Sequence, residues 1–280
     1  MSLIVTLVVL LAALLHAGWN VLVKSSNDKL MGISAMVYGH IPYALLALLF
    51  VPLPDSAAWP WIIGSVLAHT GYQITLYQAY QLGDLSQVYP LARGVAPLLV
   101  ALASVFLIGE TLTWHELLAV LLIGGGLVML ALLRSRDGHI DSRVGLLSLA
   151  TGVFIATYST MDGIGARLAQ TAVGYYALAS LVNPLVWSVY LHFRRPGLVR
   201  VLFTNHLSFT LRAGAASYSA YAMVVWAFTQ APLALVTALR ETSILFAMLL
   251  GLVFLKEKIG PRRLLAAAII FSGVILLRLG

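Results

Sequence analysis

Ten apolar runs, each about the length needed to cross a bilayer, leave this chain few folds to choose from. They fall near residues 3–23, 32–51, 58–82, 87–108, 113–133, 144–166, 172–192, 208–229, 234–255 and 261–279. A spanning helix needs about 20 mostly apolar residues, whereas a barrel strand alternates over about ten. These runs are continuous, and turn-forming stretches such as KSSNDK, PLPDS, RSRDGHIDSR and FRRPGLVR separate them. Charged residues make up 10% of the chain, against about 25% in soluble domains, and no polar stretch is long enough for a separate soluble unit. The first run lacks the basic start and cleavage site of a secretory signal, so it is expected to be a mature helix. Cysteine is absent, which removes disulfides, thiolate metal sites and cysteine nucleophiles from consideration. The sequence therefore predicts an all-α integral membrane protein with ten transmembrane helices.

The most polar break, 134–143, lies at mid-chain, with five runs on either side. Sliding residues 86–133 forward by 147 lays Arg93 on Arg240, Glu110 on Glu257 and Gly126 on Gly273. Leucine and alanine matches mean little in such a sequence, but charged residues in register do. A repeat of five helices reverses its direction in the membrane, so the expectation is two inverted five-helix repeats, 1–136 and 141–280. Basic residues in the connectors, from Lys24 and Lys29 through Arg134, Arg136, Arg194, Arg195 and Arg200 to Lys256 and Lys258, fall on one side. Arg167 and Arg278 fall on the other. The positive-inside rule makes the first side cytoplasmic and puts both termini outside. The formal charge of +7 thus reports membrane orientation and gives no reason to expect nucleic acid.

Polar residues inside the runs are the candidate functional groups. Arg93, in YPLARGVAPLL, and Arg240–Glu241, in VTALRETSILFAM, lie well inside the fourth and ninth runs. An ionisable group there costs roughly 2.5–3.5 kcal/mol on insertion scales and faces a cavity or a partner. A polar lining of a transport path and a structural interhelical ion pair are both open readings. Neighbours on a helix do not face each other, so Glu241 needs a partner from elsewhere or spends part of its time protonated. Glu241 is a candidate proton carrier, and Asp162 in TYSTMDGIGAR is the second; solvation at a helix end, or pairing with Arg167, is the plainer reading of Asp162. His16, Trp19 and Asn20 close the first run, where His16 and Asn20 share a face and serve a binding surface or interhelical hydrogen bonding. Tyr72, Tyr77, Tyr218 and Tyr221 lie deeper than interfacial belts require and offer ring faces to an ammonium group. The fifth and tenth runs, with LLIGGGLVML and LLAAAIIFSGVILL, have almost no central polar group and read as peripheral packing or dimer helices.

The ten runs, the mid-chain duplication, GET closing the fourth run and KEK closing the ninth resemble the drug/metabolite transporter superfamily in its EamA-domain branch. HAGWNVLVK, YSTMDGIGAR and ALRETSILFAMLLGLVFLKE carry the resemblance further. It implies a central cavity lined by helices 1–4 and 6–9, with helices 5 and 10 outside, in a bacterial inner membrane. The expected function is secondary transport of a small polar metabolite by alternating access, with proton coupling through Glu241 or Asp162. A zwitterion such as an amino acid suits a site offering charges of both signs; an organic cation or amine is the alternative, and a lipid carrier a third. The candidate binding residues are His16, Trp19, Asn20, Tyr72, Tyr77, Arg93, Tyr218, Tyr221, Arg240 and Glu241. No phosphate-binding loop, HExxH or paired-carboxylate motif occurs, so no cofactor, metal or enzymatic activity is expected. The partners expected are the substrate, the bilayer and, if the chain is a homodimer and not a monomer, a second copy meeting it through helices 5 and 10.

Overall fold

A computed structural model describes residues 1–24, 28–83, 85–133, 141–255 and 260–279; of residues 19–24, 85, 86, 251, 253–255 and 279 it describes the backbone alone. The connector charges Arg134, Arg136, Lys256 and Lys258, the repeat match at Glu257 and the boundary between the two predicted halves lie outside the described residues. So do the side chains of Trp19, Asn20 and Lys24.

The described residues form helices throughout: α1 (Leu3–Lys24), α2 (Lys29–Leu48), α3 (Trp59–Leu82), α4 (Leu85–Ala103), α5 (Trp114–Leu132), α6 (Ser142–Leu168), α7 (Ala172–Arg194), α8 (Leu198–Asn205), α9 (Leu207–Phe228), α10 (Leu233–Arg240), α11 (Ser243–Leu255) and α12 (Pro261–Leu279). The short polar connectors supply the caps. Asp28, Asp141 and Thr171 each accept a hydrogen bond from the first turn of the helix that follows, and Thr113 with Glu116 forms a reciprocal capping box on α5. Each such cap satisfies backbone donors that no residue inside the helix can reach.

Among the described residues, six helical segments are long and apolar enough to cross a membrane: Lys29–Leu48, Gln87–Ile108, Trp114–Leu132, Ser142–Leu168, Ala172–Arg194 and Leu233–Leu250. Large apolar side chains cover the outside of the bundle, Leu7, Leu46, Phe106, Phe193 and Phe271 among them. An apolar surface this extensive is stable against lipid and would aggregate in water. The molecule is a multi-pass membrane protein.

Two features differ from the sequence expectation. The ninth run is two helices. Around Glu241 the backbone stays right-handed, but Glu241, Thr242, Ile244 and Leu245 donate to the carbonyls three residues back, at 2.9–3.1 Å. A stretch of i→i+3 bonds inside a helix is a tightened, weaker turn of the kind found at hinges. The connector after α7 holds α8, which starts from Gly197 in the left-handed region (φ 86°) and tucks Leu198 and Leu202, four apart, beneath it.

Packing fixes what meets at the centre. α3 lies along α6, α4 against α5 and α6, α5 between α4 and α12, α2 against α7 and α9, and α1 against α9 and α11. The fourth helix carries Pro90 and Pro97 and ends in a π-turn, Ser104–Ile108, closed by Gly109 at φ 77°.

One end of the bundle is tied by a polar clamp. Arg167, in the last turn of α6, donates from Nη2 to Glu110 Oε1 at 2.6 Å and from Nε and Nη2 to the carbonyls of Phe228, the last residue of α9, and Ala231 just beyond it. Glu110 Oε2 accepts from the Leu233 N–H that opens α10, at 3.0 Å, and from Ser104 Oγ. The clamp thus satisfies backbone groups at the junction of α9 and α10 with side chains from α6 and from the connector after the fourth helix. Glu110→Ala removes the acceptor and the charge; Glu110→Gln keeps an acceptor for Leu233. Thermal unfolding in detergent is expected to show a loss of about 1–2 kcal/mol for alanine and a smaller loss for glutamine. Equal stability of all three proteins would mean that solvent replaces the clamp without penalty.

Candidate functional site

α1, α4 and the α10–α11 turn bring four ionisable groups together. Arg93 Nη1 donates to both carboxylate oxygens of Glu241, at 2.9 and 3.0 Å, and its Nη2 donates to His16 Nε2. An imidazole nitrogen accepts from a guanidinium only while it carries no proton, so this contact requires the Nδ1-protonated neutral tautomer of His16. Tyr89 OH stands 3.1 Å from the same nitrogen, and the Arg93 guanidinium lies over the Tyr89 ring at 5.0 Å. Arg240 reaches Glu241 Oε1 from Nε and Nη2 at only 3.4 and 3.3 Å, and lies over the Tyr221 ring at 5.7 Å. Arg93, Arg240 and Glu241 are 4%, 2% and 1% exposed. One buried carboxylate therefore serves two buried guanidinium groups, and it serves Arg93 better.

The turn after α10 explains why the sequence argument placed Glu241 away from Arg240 while the structure lets them touch. Regular helix geometry points adjacent side chains apart; the tightened turn at 240–242 swings Glu241 toward Arg93 and leaves its inner oxygen within reach of Arg240. Both charges also suit the helix ends there. Arg240 is in the last turn of α10, where the dipole favours a cation, and Glu241 precedes the start of α11, where it favours an anion.

A second centre surrounds Asp162, which is neither solvated nor paired with Arg167. It lies well inside α6, is fully buried, and accepts from four donors. Ser65 Oγ and Tyr175 OH (3.1 Å) donate to Oδ1, while Tyr221 OH (2.7 Å) and His69 Nε2 (3.2 Å) meet Oδ2. His69 is stacked on Tyr158, centroids 3.8 Å apart and planes 15° from parallel, with the edge of Tyr221 at 5.5 Å. Tyr221 joins the centres: its hydroxyl holds Asp162 and its ring lies under Arg240.

Of the other residues singled out from the sequence, Tyr72 meets the edge of Tyr158 at 5.7 Å. Tyr218 stacks between Tyr43 and Tyr176, next to His40. Tyr77 is not brought to either centre; it packs against the apolar cluster around Tyr38, Trp187 and Leu202. Ser65, His69, Tyr89, Tyr158, Tyr175 and Tyr176 were missed. Helical spacing could have found most of them: Ser65, His69 and Tyr72 fall at i, i+4 and i+7, Tyr158 and Asp162 at i and i+4, Tyr89 and Arg93 likewise.

Comparison with known proteins adds two findings. Residues 3–132 match the model of the EamA-like transporter family. A solved structure described only as "Crystal structure of protein" superposes with a TM-score of 0.77 at 18% identity, over 100% of this chain and 98% of the other; at that identity it speaks for the fold alone. No curated protein matches the chain.

Proposed function

We propose that the chain, whose residues 3–132 match the EamA-like transporter family, is a transporter of that family, within the drug/metabolite transporter superfamily, and that it moves a small metabolite bearing a carboxylate and an ammonium, an amino acid or a close relative, by alternating access. The observation that carries the reading is the sharing of Glu241 by Arg93 and Arg240. Arg240 makes only long contacts to it, so its guanidinium has donors left for a substrate carboxylate. Tyr221, under Arg240, also meets Tyr158 and donates to Asp162, so aromatic rings and a negative charge that suit an ammonium adjoin the guanidinium. Tyr218 OH and His40 Nε2 are buried with no hydrogen-bond partner among the described residues, polar groups that a substrate side chain would satisfy.

The same reading takes the chain as two inverted five-helix repeats. Its support is the pairing of elements: α3 on α6 is matched by α9 on α1, α4 on α6 by α10 and α11 on α1, and α2 on α9 by α7 on α3. The family match ends at residue 132, close to the proposed boundary. Placement in a bacterial inner membrane with both termini outside, and pairing of two copies through α5 and α12, remain parts of the proposal. An organic cation is the second reading, favoured by the ring of Tyr158, Tyr176 and Tyr221 about Asp162.

The test is counterflow in proteoliposomes with radiolabelled amino acids and organic cations. The expected result is exchange of a zwitterion that disappears in Arg240→Met while the variant still unfolds cooperatively. Exchange of cations alone, unaffected by that substitution, would replace the first reading with the second. No exchange by folded protein would remove both.

A further inference from the structure

The buried charges leave few places for an additional proton. Arg93 and Arg240 carry two positive charges and Glu241 and Asp162 two negative ones. Glu241 lies between both guanidinium groups, and neutralising it would strand two buried cations. Asp162 has each of its oxygens engaged by two donors, so a proton on it would displace one of them. His16 faces Arg93 through Nε2, where a second cation would meet the first. His69 is different. Its Nε2 points at a carboxylate, its ring lies on the face of Tyr158, and its side chain is 19% accessible where Asp162 is 0%.

We propose that His69 is the proton-accepting group of this transporter and that Asp162 is its permanent counter-charge, a role for Asp162 other than that of carrier. The inference rests on the transport reading above and adds the coupling site to it. The proton enters at Nδ1, the ring nitrogen turned away from the carboxylate, while Nε2–H continues to donate to Asp162 Oδ2. The pair passes from one net negative charge to none, and no other bond changes. An imidazolium stacked on a tyrosine face gains cation–π attraction. The groups that face the pair come from every neighbouring helix: Ser65 from α3, Tyr158 from α6, Tyr175 and Tyr176 from α7, Tyr221 from α9 and His40 from α2. Arg240, on α10, stands beyond the Tyr221 ring. Because Tyr221 touches both Asp162 and Arg240, a substrate carboxylate drawing Arg240 away alters the field at the proton site.

The experiment is NMR of the full chain in lipid nanodiscs with isotope-labelled histidine, the seven histidines being assigned by single substitution. Titration from about pH 5 to 8 covers the range in which an imidazole changes charge. The His69 ring is expected to protonate within that window, with Nδ1 the nitrogen that gains the proton. Asp162→Asn is expected to move the midpoint to lower pH by about one unit or more. Tyr158→Leu, which leaves the carboxylate network intact, moves it the same way by less, and covers the case in which the asparagine variant fails to fold. A His69 ring that stays neutral throughout, or a midpoint indifferent to both substitutions, overturns the proposal. In proteoliposomes, His69→Gln is expected to keep counterflow and lose accumulation driven by an imposed pH gradient. Wild-type counterflow without any response to the gradient sinks the proton site and spares the transporter; absence of wild-type counterflow sinks the transport reading while the NMR result stands by itself.

Discussion

Glu241→Gln is expected to destabilise the protein by about 3–5 kcal/mol and to abolish exchange. The glutamine has nearly the same shape, so the effect is one of charge. In the native protein a single carboxylate is the only anion bonded to Arg93 and Arg240 among the described residues. Removing it leaves two guanidinium groups in an interior where each is at most 4% exposed, and breaking a buried pair by deleting one partner carries a penalty of about that size. The converse substitution separates charge from packing. Arg93→Met and Arg240→Met with Glu241→Leu delete both guanidinium groups together with the carboxylate they share, and apolar replacement of a buried ionic cluster as a unit is often close to neutral. That triple variant is expected to recover most of the lost stability and none of the transport. Chemical or thermal unfolding in detergent, run beside counterflow, reads both quantities. A Glu241→Gln protein as stable as wild type would mean that water reaching the site solvates the arginines, and the paired-charge account of the helix break would fall.

The residues that were legible in the sequence share one property: they violate the apolar pattern of their surroundings. Arg93, Arg240 and Glu241 stand out in runs of Leu, Ala and Val, and their partnership across α4 and α10 follows from the charge and from the need to satisfy it. The bundle itself was equally plain, because run length and hydropathy determine what can cross a bilayer. The helix break was not. Neither glycine nor proline marks residues 240–243, and the turn arises from the tertiary demand that Glu241 reach Arg93. α8 was hidden for the opposite reason. Pro196 and Gly197 read as a loop, and an eight-residue helix presents too few turns for its two buried leucines to register as a period. His69 escaped because a histidine beside Tyr, Gln and Thr in α3 does not look out of place, and what singles it out is the meeting of α3 with α6, α7 and α9 around Asp162. Long-range convergence of this kind leaves no trace in the spacing along any one helix. The Ser65, His69 and Tyr72 stripe marks an inward polar face without naming the carboxylate it serves.

Gly214→Val is expected to have the other large effect, about 3 kcal/mol or more of lost stability together with lost exchange, although no charged group is touched. α2 and α9 meet at two glycines. A Cβ added at Gly214 would lie 2.2 Å from the carbonyl carbon and oxygen of Gly39, and one added at Gly39 would lie 2.2 Å from the Thr210 carbonyl oxygen. These obstacles are backbone atoms, so no rotamer change relieves them and the helices must part; overpacking of a close contact typically destabilises by about 1–3 kcal/mol, occasionally more. Separation of α2 from α9 also reaches the candidate site. His40 follows Gly39 directly, and its ring meets Tyr218 of α9 at 5.8 Å and Tyr176 of α7 at 6.2 Å, while Tyr221, one turn beyond Tyr218, holds Asp162. Gly125 supplies the control, because nothing stands within 4 Å of a Cβ added there. Gly125→Ala relieves the entropic penalty of a mid-helix glycine and is expected to gain up to about 1 kcal/mol. Thermal unfolding of the two variants in the same detergent decides the matter. If Gly214→Val unfolds no earlier than Gly125→Ala, the contact between α2 and α9 is not the close backbone approach described, and the aromatic wall that depends on it must be held by something else.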